Sequence, residues 1–173
     1  QYVVEELVEA GIKDIIIVGS SNKRSIEDHF DVANEDLLAN LRAGGEKKQP
    51  YIEMLEKLSS MANFVYIRQK GPYGNATPIV CASHLIGNEP FIYTFADDFI
   101  VAPESRTRQL MRTYQEQGGS VLACKRVIAD DEYDRYGIVA GSKIDESTIR
   151  VDHIDEKPGR AAAHSDLASV SGY

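Results

Sequence analysis

Two adjacent carboxylates, Asp97 and Asp98, interrupt the apolar run "FIYTFADDFI" at positions 91 to 100. Carboxylates are hard oxygen donors suited to Mg2+, which takes one or two of them and fills its other positions with water and substrate phosphate. Successive side chains on an extended backbone point to opposite sides. One Asp is therefore expected to ligate an ion directly and the other to support it from outside the coordination shell. Taken alone, such a pair is as readily an Asp-rich turn.

Two other stretches carry suitable chemistry. "KGPYGN", before a helix-like segment, is a place where backbone N–H groups and a helix N-terminus can meet an anion or a base edge. Gln69, just ahead of it, offers a donor and an acceptor on one amide, which is what pairing with a pyrimidine edge requires. "DEKPG" sets Glu156, an acceptor for hydroxyls, beside Lys157, which can neutralise phosphate, a combination suited to a sugar phosphate. Read singly, Gln69 is an ordinary surface amide and Glu156–Lys157 a surface charge pair.

Other chemistries lack support. His29, His84, His153 and His164 form no HxxxH or HExxH spacing, so zinc is not indicated. There is no GxxxxGK[ST] loop and no GxSxG elbow. An acidic pair after a strand also suits a phospho-accepting receiver domain. The first strand, "DIIIVG", has no aspartate pair behind it, and the β-rich end is foreign to that fold.

Strands and helices must position these groups. The 173 residues suit one domain with a real core, and 43% of them are hydrophobic. A net charge of -8 argues against nucleic acid or an anionic membrane as partner. No apolar stretch approaches the roughly 18 residues of a membrane span, and no signal peptide is visible, so a cytoplasmic protein is expected. Cys81 and Cys124 lie in apolar segments outside any CxxC motif and are expected to be buried reduced thiols.

"QYVVEELVEAG" has helical spacing closed by Gly11, and "DIIIVG" reads as a strand covered on both faces. "SSNKRSIEDHF" leads into a second helix. Residues 34 to 60 read as a charged helical pair broken at Gly44-Gly45, with Leu37, Leu38 and Leu41 on one stripe and Ile52, Leu55 and Leu58 on the next. "NFVYIRQK", "PFIYTFA" and "SVLACKRV" are predicted strands. "ATPIVCASHLI", N-capped by Asn75 with Pro78 in the first turn, and "ESRTRQLMRTYQEQGG" are predicted helices. "YGIVAG" and "TIRVDHIDEKP" follow without a helix between them.

The pattern predicts an α/β fold: a Rossmann-like, mainly parallel sheet with helices on both faces, then a β-rich extension. A single domain is expected, with residues 1–127 as the α/β part and 128–173 as the β-rich part. In such a sheet ligands bind beyond the carboxyl ends of the strands, where "GSSNKRS", "RQKGPYGN" and "ADD" fall. Gln1 opens directly into a helical pattern and "ASVSGY" stops where a strand could start, so the chain is expected to be an interior part of a longer protein.

"QYVVEELVEAGIKDIIIVGSSNKRSIEDHFD", "YIRQKGPYGNATP", "FADD", "YGIV" and "IDEKP", in this order, closely resemble the bacterial UTP-glucose-1-phosphate uridylyltransferases across nearly the whole chain. The most specific part is "KRSIEDHFD" with the helical insertion behind it. The resemblance implies a nucleotidyltransferase fold with a sugar-binding part. It also implies Mg2+-dependent conversion of UTP and glucose 1-phosphate to UDP-glucose and pyrophosphate, and a homo-oligomer at full length. Gln69 and Gly74 would hold the uracil edge, Asp97 would ligate the metal, and Asp98 would lie at the substrate. Gly137 and Glu156 would contact the glucose hydroxyls, and Lys157 would meet the sugar-side phosphate and act in catalysis with Asp97. Where the family has a form close to "LGLGHA" after the proline, this chain has "YGNATP", keeping Gly74 and placing Ala76, Thr77 and Pro78 at the last three positions. The family's glycine-rich phosphate loop precedes the part seen here and a second metal-ligating Asp normally follows it, so little activity is expected of these residues in isolation. A thymidylyltransferase and a non-catalytic nucleotide-sugar sensor are the alternatives.

Overall fold

A computed structural model describes residues 1–170. The chain divides into two compact units, Leu7–Phe91 and Gln1–Glu6 together with the chain from Ile92 onward. Helix α1, Tyr2–Glu9, begins in one unit and ends in the other. Val3, Val4 and Leu7 form its buried stripe. Gly11, at φ +99, closes it by donating to the Val8 carbonyl at 2.9 Å, as its C-terminal glycine predicts.

In the Leu7–Phe91 unit, β1 (Asp14–Gly19) is followed by α2 (Arg24–Phe30), α3 (Glu35–Ala43), α4 (Gln49–Ser60), β2 (Asn63–Arg68) and α5 (Thr77–Ile86). β1 and β2 pair in parallel from Asp14↔Asn63 to Gly19↔Arg68. At the first rung the Asn63 amide donates to Asp14 Oδ1 at 2.8 Å. The helical pair breaks at Gly44-Gly45 as expected, because Gly45 takes φ +72 before a short 3-10 turn. Leu38, Ile52 and Leu58 are buried, whereas Leu37 faces solvent. Helix α2 meets the sheet through Phe30, whose ring stacks on Phe64 at 4.8 Å.

In the other unit, α6 (Arg106–Gln117) is followed by β3 (Cys124–Arg126), β4 (Gly137–Lys143), β5 (Ile149–Glu156) and β6 (Leu167–Ser169). Helix α6 starts at Ser105, whose hydroxyl accepts from the Arg108 N–H at 3.3 Å, and stops at Gly118, φ +67. The sheet order is β3-β6-β4-β5, antiparallel throughout. Tyr133, Ile138 and Ala168 form its core, with Val127, Tyr136 and Ala163 packed around them. Between Ala140↔His153 and Gly141↔Val151 the register shifts by one residue. Asp152 is the extra residue of this bulge.

The α/β class and the β-rich end are as the sequence predicts, with several local corrections. "PFIYTFA" is not a regular strand. Tyr93 and Phe95 still face each other two residues apart, at 5.4 Å, as on an extended chain. Phe91 is 47% exposed and residues 92–95 are half-buried, so the apolar run does not mark a fully covered strand. "SVLACKRV" is ladder-bonded only over Cys124–Arg126. In β1 only Ile15 is buried, at 8% exposure, because an apolar run does not reveal how much cover its two faces receive. Helix α5 is N-capped by Ala76 instead of Asn75. A turn from the Thr77 N–H to the Gly74 carbonyl precedes its regular ladder. Cys81 is half-buried and Cys124, on the terminal strand β3, is exposed, contrary to the expected burial; both are free thiols. Of the chain's far end, residues 171–173 lie outside the described residues. No helix among the described residues is long and apolar enough to cross a membrane.

Candidate functional site

The parallel pair β1–β2 delivers two loops to one sheet edge. Gly19 and Arg68 are paired at the carboxyl ends of the strands, so "SSNK" and "QKGPYGN" leave side by side. The Gln69 N–H donates to the Gly19 carbonyl at 2.9 Å, continuing the ladder one residue beyond β2 and fixing where the half-buried Gln69 amide starts. The loop is then tied to α5 at two points. The Thr77 hydroxyl donates to the Pro72 carbonyl at 2.9 Å, and Cys81 Sγ lies 3.4 Å from both the N–H and the carbonyl of Lys70. Gly71 turns the chain at φ +103. Gly74 is exposed, and a Cβ there would meet only Thr77 Oγ1, at 3.7 Å. The loop thus presents backbone close to a helix N-terminus, geometry that favours an anion or a polar base edge.

The other unit holds the remaining candidates. Asp97 is exposed in a turn and Asp98 is half-buried after it. Their support is the N-terminus of α6, because Arg106 Nη1 donates to the Asp98 carbonyl at 3.3 Å. Arg106 is 2% exposed and pairs through Nη2 with Glu6 Oε2 at 3.0 Å. Glu6 Oε1 accepts from both the N–H and the hydroxyl of Thr107, each at 2.9 Å. Removing one member of such a buried pair leaves an uncompensated charge and costs about 3–5 kcal/mol.

Gly137 and Glu156 are ladder partners at the end of β4–β5. A Cβ on Gly137 would stand 3.3 Å from Glu156 Oε2 and 3.5 Å from Ile154 Cγ2, so the glycine leaves the carboxylate its place. Lys157 follows at φ +49, the sole left-handed non-glycine among the described residues. Such a backbone costs about 1–2 kcal/mol in an L-residue. It is held by the Lys157 N–H donating to the Tyr136 carbonyl at 3.2 Å and by the Gly159 N–H donating to the Tyr133 carbonyl at 3.1 Å. Lys157 Nζ lies 3.4 Å from Glu156 Oε1, an exposed pair of little stabilising value. A lysine and a carboxylate are thereby presented together on a fixed turn.

Asp97 offers an exposed hard oxygen donor next to an anchored carbonyl. Among the described residues no three His, Cys, Asp or Glu side chains gather as a metal site. A donor set this small fits Mg2+, which draws most of its coordination from water and phosphate, better than it fits a closed protein cage.

Sequence reading missed the Arg106–Glu6 pair, although a clue was present: a basic residue in the first turn of a helix opposes the helix dipole and calls for an acidic partner. The strained backbone of Lys157 left no mark in residue type.

A parallel βα unit with a loop at its carboxyl edge and an antiparallel sheet bearing Gly137 and Glu156, with Lys157 just beyond it, make this an α/β protein. Residues 1–173 match the model of the nucleotidyl transferase family, and the chain belongs to that family. It is 40% identical over all 173 residues to UTP–glucose-1-phosphate uridylyltransferase YngB of Bacillus subtilis, of which it spans 57%. A UDP-glucose pyrophosphorylase structure complexed with UDP-glucose superposes with TM-score 0.83 at 31% identity, covering 99% of this chain and 61% of that one. The UTP-bound enzyme of Acinetobacter baumannii gives 0.77 at 29% identity, with the same coverage.

Proposed function

We propose that the protein, at full length, transfers a uridylyl group from UTP to glucose 1-phosphate, giving UDP-glucose and pyrophosphate. The observation that carries this reading is the whole-chain likeness to uridylyltransferases, at 40% identity. A location in the cytoplasm and a homo-oligomeric assembly go with it. Residues 1–127 would serve the nucleotide and 128–173 the sugar.

In this reading the glucose 1-phosphate oxygen attacks the α-phosphorus of UTP while the bond to the departing pyrophosphate breaks. The protein's work is positioning and charge neutralisation, with no covalent intermediate. The Gln69 amide and the backbone at Gly74 hold the uracil edge, and Asp98 lies at the substrate. Glu156 accepts from glucose hydroxyls, Gly137 leaves room for the ring, and Lys157 neutralises the sugar-side phosphate. Asp97 would hold Mg2+, which when bound neutralises charge on the triphosphate oxygens.

Comparing UTP with dTTP at saturating glucose 1-phosphate tests the base. A kcat/KM for UTP at least about tenfold above that for dTTP is expected, the discrimination of a site built around one base edge. A preference for dTTP would make the protein a thymidylyltransferase. UDP-glucose binding without any pyrophosphate release would make it a sensor.

A further inference from the structure

Arg106 is almost wholly buried in the first turn of α6, where the helix dipole disfavours a cation. Fold stability alone gives little reason for an arginine there, because a well-packed apolar side chain commonly serves as well as a buried ion pair. An apolar side chain could not do what the two arms of the guanidinium do. One arm binds Glu6 at 3.0 Å and the other binds the Asp98 carbonyl at 3.3 Å. Glu6 is itself held by the backbone and hydroxyl of the fully buried Thr107. The chain immediately after Asp97 is thereby fastened through one planar, five-donor group to the start of α6 and to Glu6 of α1.

We propose that Arg106 and Glu6 are a positioning pair for the Asp97 carboxylate, setting its affinity for a divalent cation without touching the cation. The proposal rests on the reading of Asp97 as the metal ligand. Held at the neighbouring carbonyl, the exposed turn keeps one orientation of Asp97, and the ordering is complete before the ion arrives. Released, the turn must be ordered when the ion binds, and affinity falls.

The test uses the full-length protein with Mn2+ as probe, followed by electron paramagnetic resonance in the presence of UTP. Glu6→Gln/Arg106→Met removes both buried charges while the glutamine oxygen can still accept from Thr107. Arg106→Lys keeps the charge opposite Glu6 but loses the second arm, which guards against misfolding of the double variant. Both are expected to weaken Mn2+ binding about tenfold, the scale of one charge-assisted hydrogen bond. UTP affinity in EDTA should fall far less than Mn2+ affinity, a separation that a merely structural role would not produce. Mn2+ affinity equal to wild type in the folded variants overturns the proposal. Asp97→Asn separates the two levels. If it abolishes Mn2+ binding while both Arg106 variants bind normally, the metal reading stands and only the positioning role falls. If Asp97→Asn leaves Mn2+ binding intact, the metal reading is lost and the positioning role with it.

Discussion

Gly137 and Glu156 face each other across the β4–β5 ladder, with Glu156 Oε2 only 3.3 Å from the point where a Cβ on Gly137 would stand. The carboxylate is the far end of a side chain 74% exposed, so it can yield without disturbing the sheet. Gly137→Ala should therefore leave the melting temperature nearly unchanged while moving Glu156. Steady-state kinetics at full length should show KM for glucose 1-phosphate raised roughly tenfold and KM for UTP unaltered, as for a misfit of one methyl group. An equal rise in both would detach Gly137 from the sugar.

Gly141 presents the opposite case. A Cβ there would stand 1.9 Å from the Arg150 carbonyl oxygen, and backbone cannot step aside as a side chain can. Gly141→Ala should cost more than about 2 kcal/mol and lower the thermal midpoint by several degrees. Calorimetry of the purified variant beside Gly137→Ala provides the comparison.

Lys157 carries strain and chemistry on the same residue. Lys157→Gly relieves a left-handed backbone, so the folded state should lose nothing and gain up to about 1 kcal/mol. If Lys157 neutralises the sugar-side phosphate as proposed, pyrophosphate release should nevertheless fall by a factor of about 100 or more. Denaturant melts and turnover of the same preparation would expose this divergence of sign.

Glu132 governs an acid-side response in the antiparallel unit. Its carboxylate accepts from Lys125 Nζ and from the Ile128 N–H, which hold its pKa below the ordinary 4.5. A depressed carboxylate contributes stability that is complete above its unfolded pKa and is lost as pH falls through the folded one. Acidification from about pH 5 downward should therefore erode stability in wild type and less so in Glu132→Gln. Urea midpoints across that range would measure the difference.

Much of the fold was legible because it rests on local signals. Gly11, Gly44-Gly45 and Gly118 ended their helices where left-handed φ or a chain break was needed. The apolar run of β1 announced a strand, although not how fully it is covered. The "PFIYTFA" segment misled because its apolar content does not report how much cover it receives: Phe91 is exposed and residues 92–95 only half-buried. Of the candidate residues, Gln69, Gly74, Asp98 and Glu156 drew notice by residue type and position. The left-handed turn at Lys157 and the Glu6–Arg106 contact, which bridges 100 positions in sequence, arise from tertiary placement and could not be read from neighbours.

Uridylyl transfer to a sugar phosphate is read out by pyrophosphate release from the full-length protein with UTP and Mg2+, with and without glucose 1-phosphate. Release dependent on glucose 1-phosphate, with UDP-glucose formed in equal amount, is the predicted result. A protein that binds UDP-glucose but releases no pyrophosphate under those conditions would contradict it.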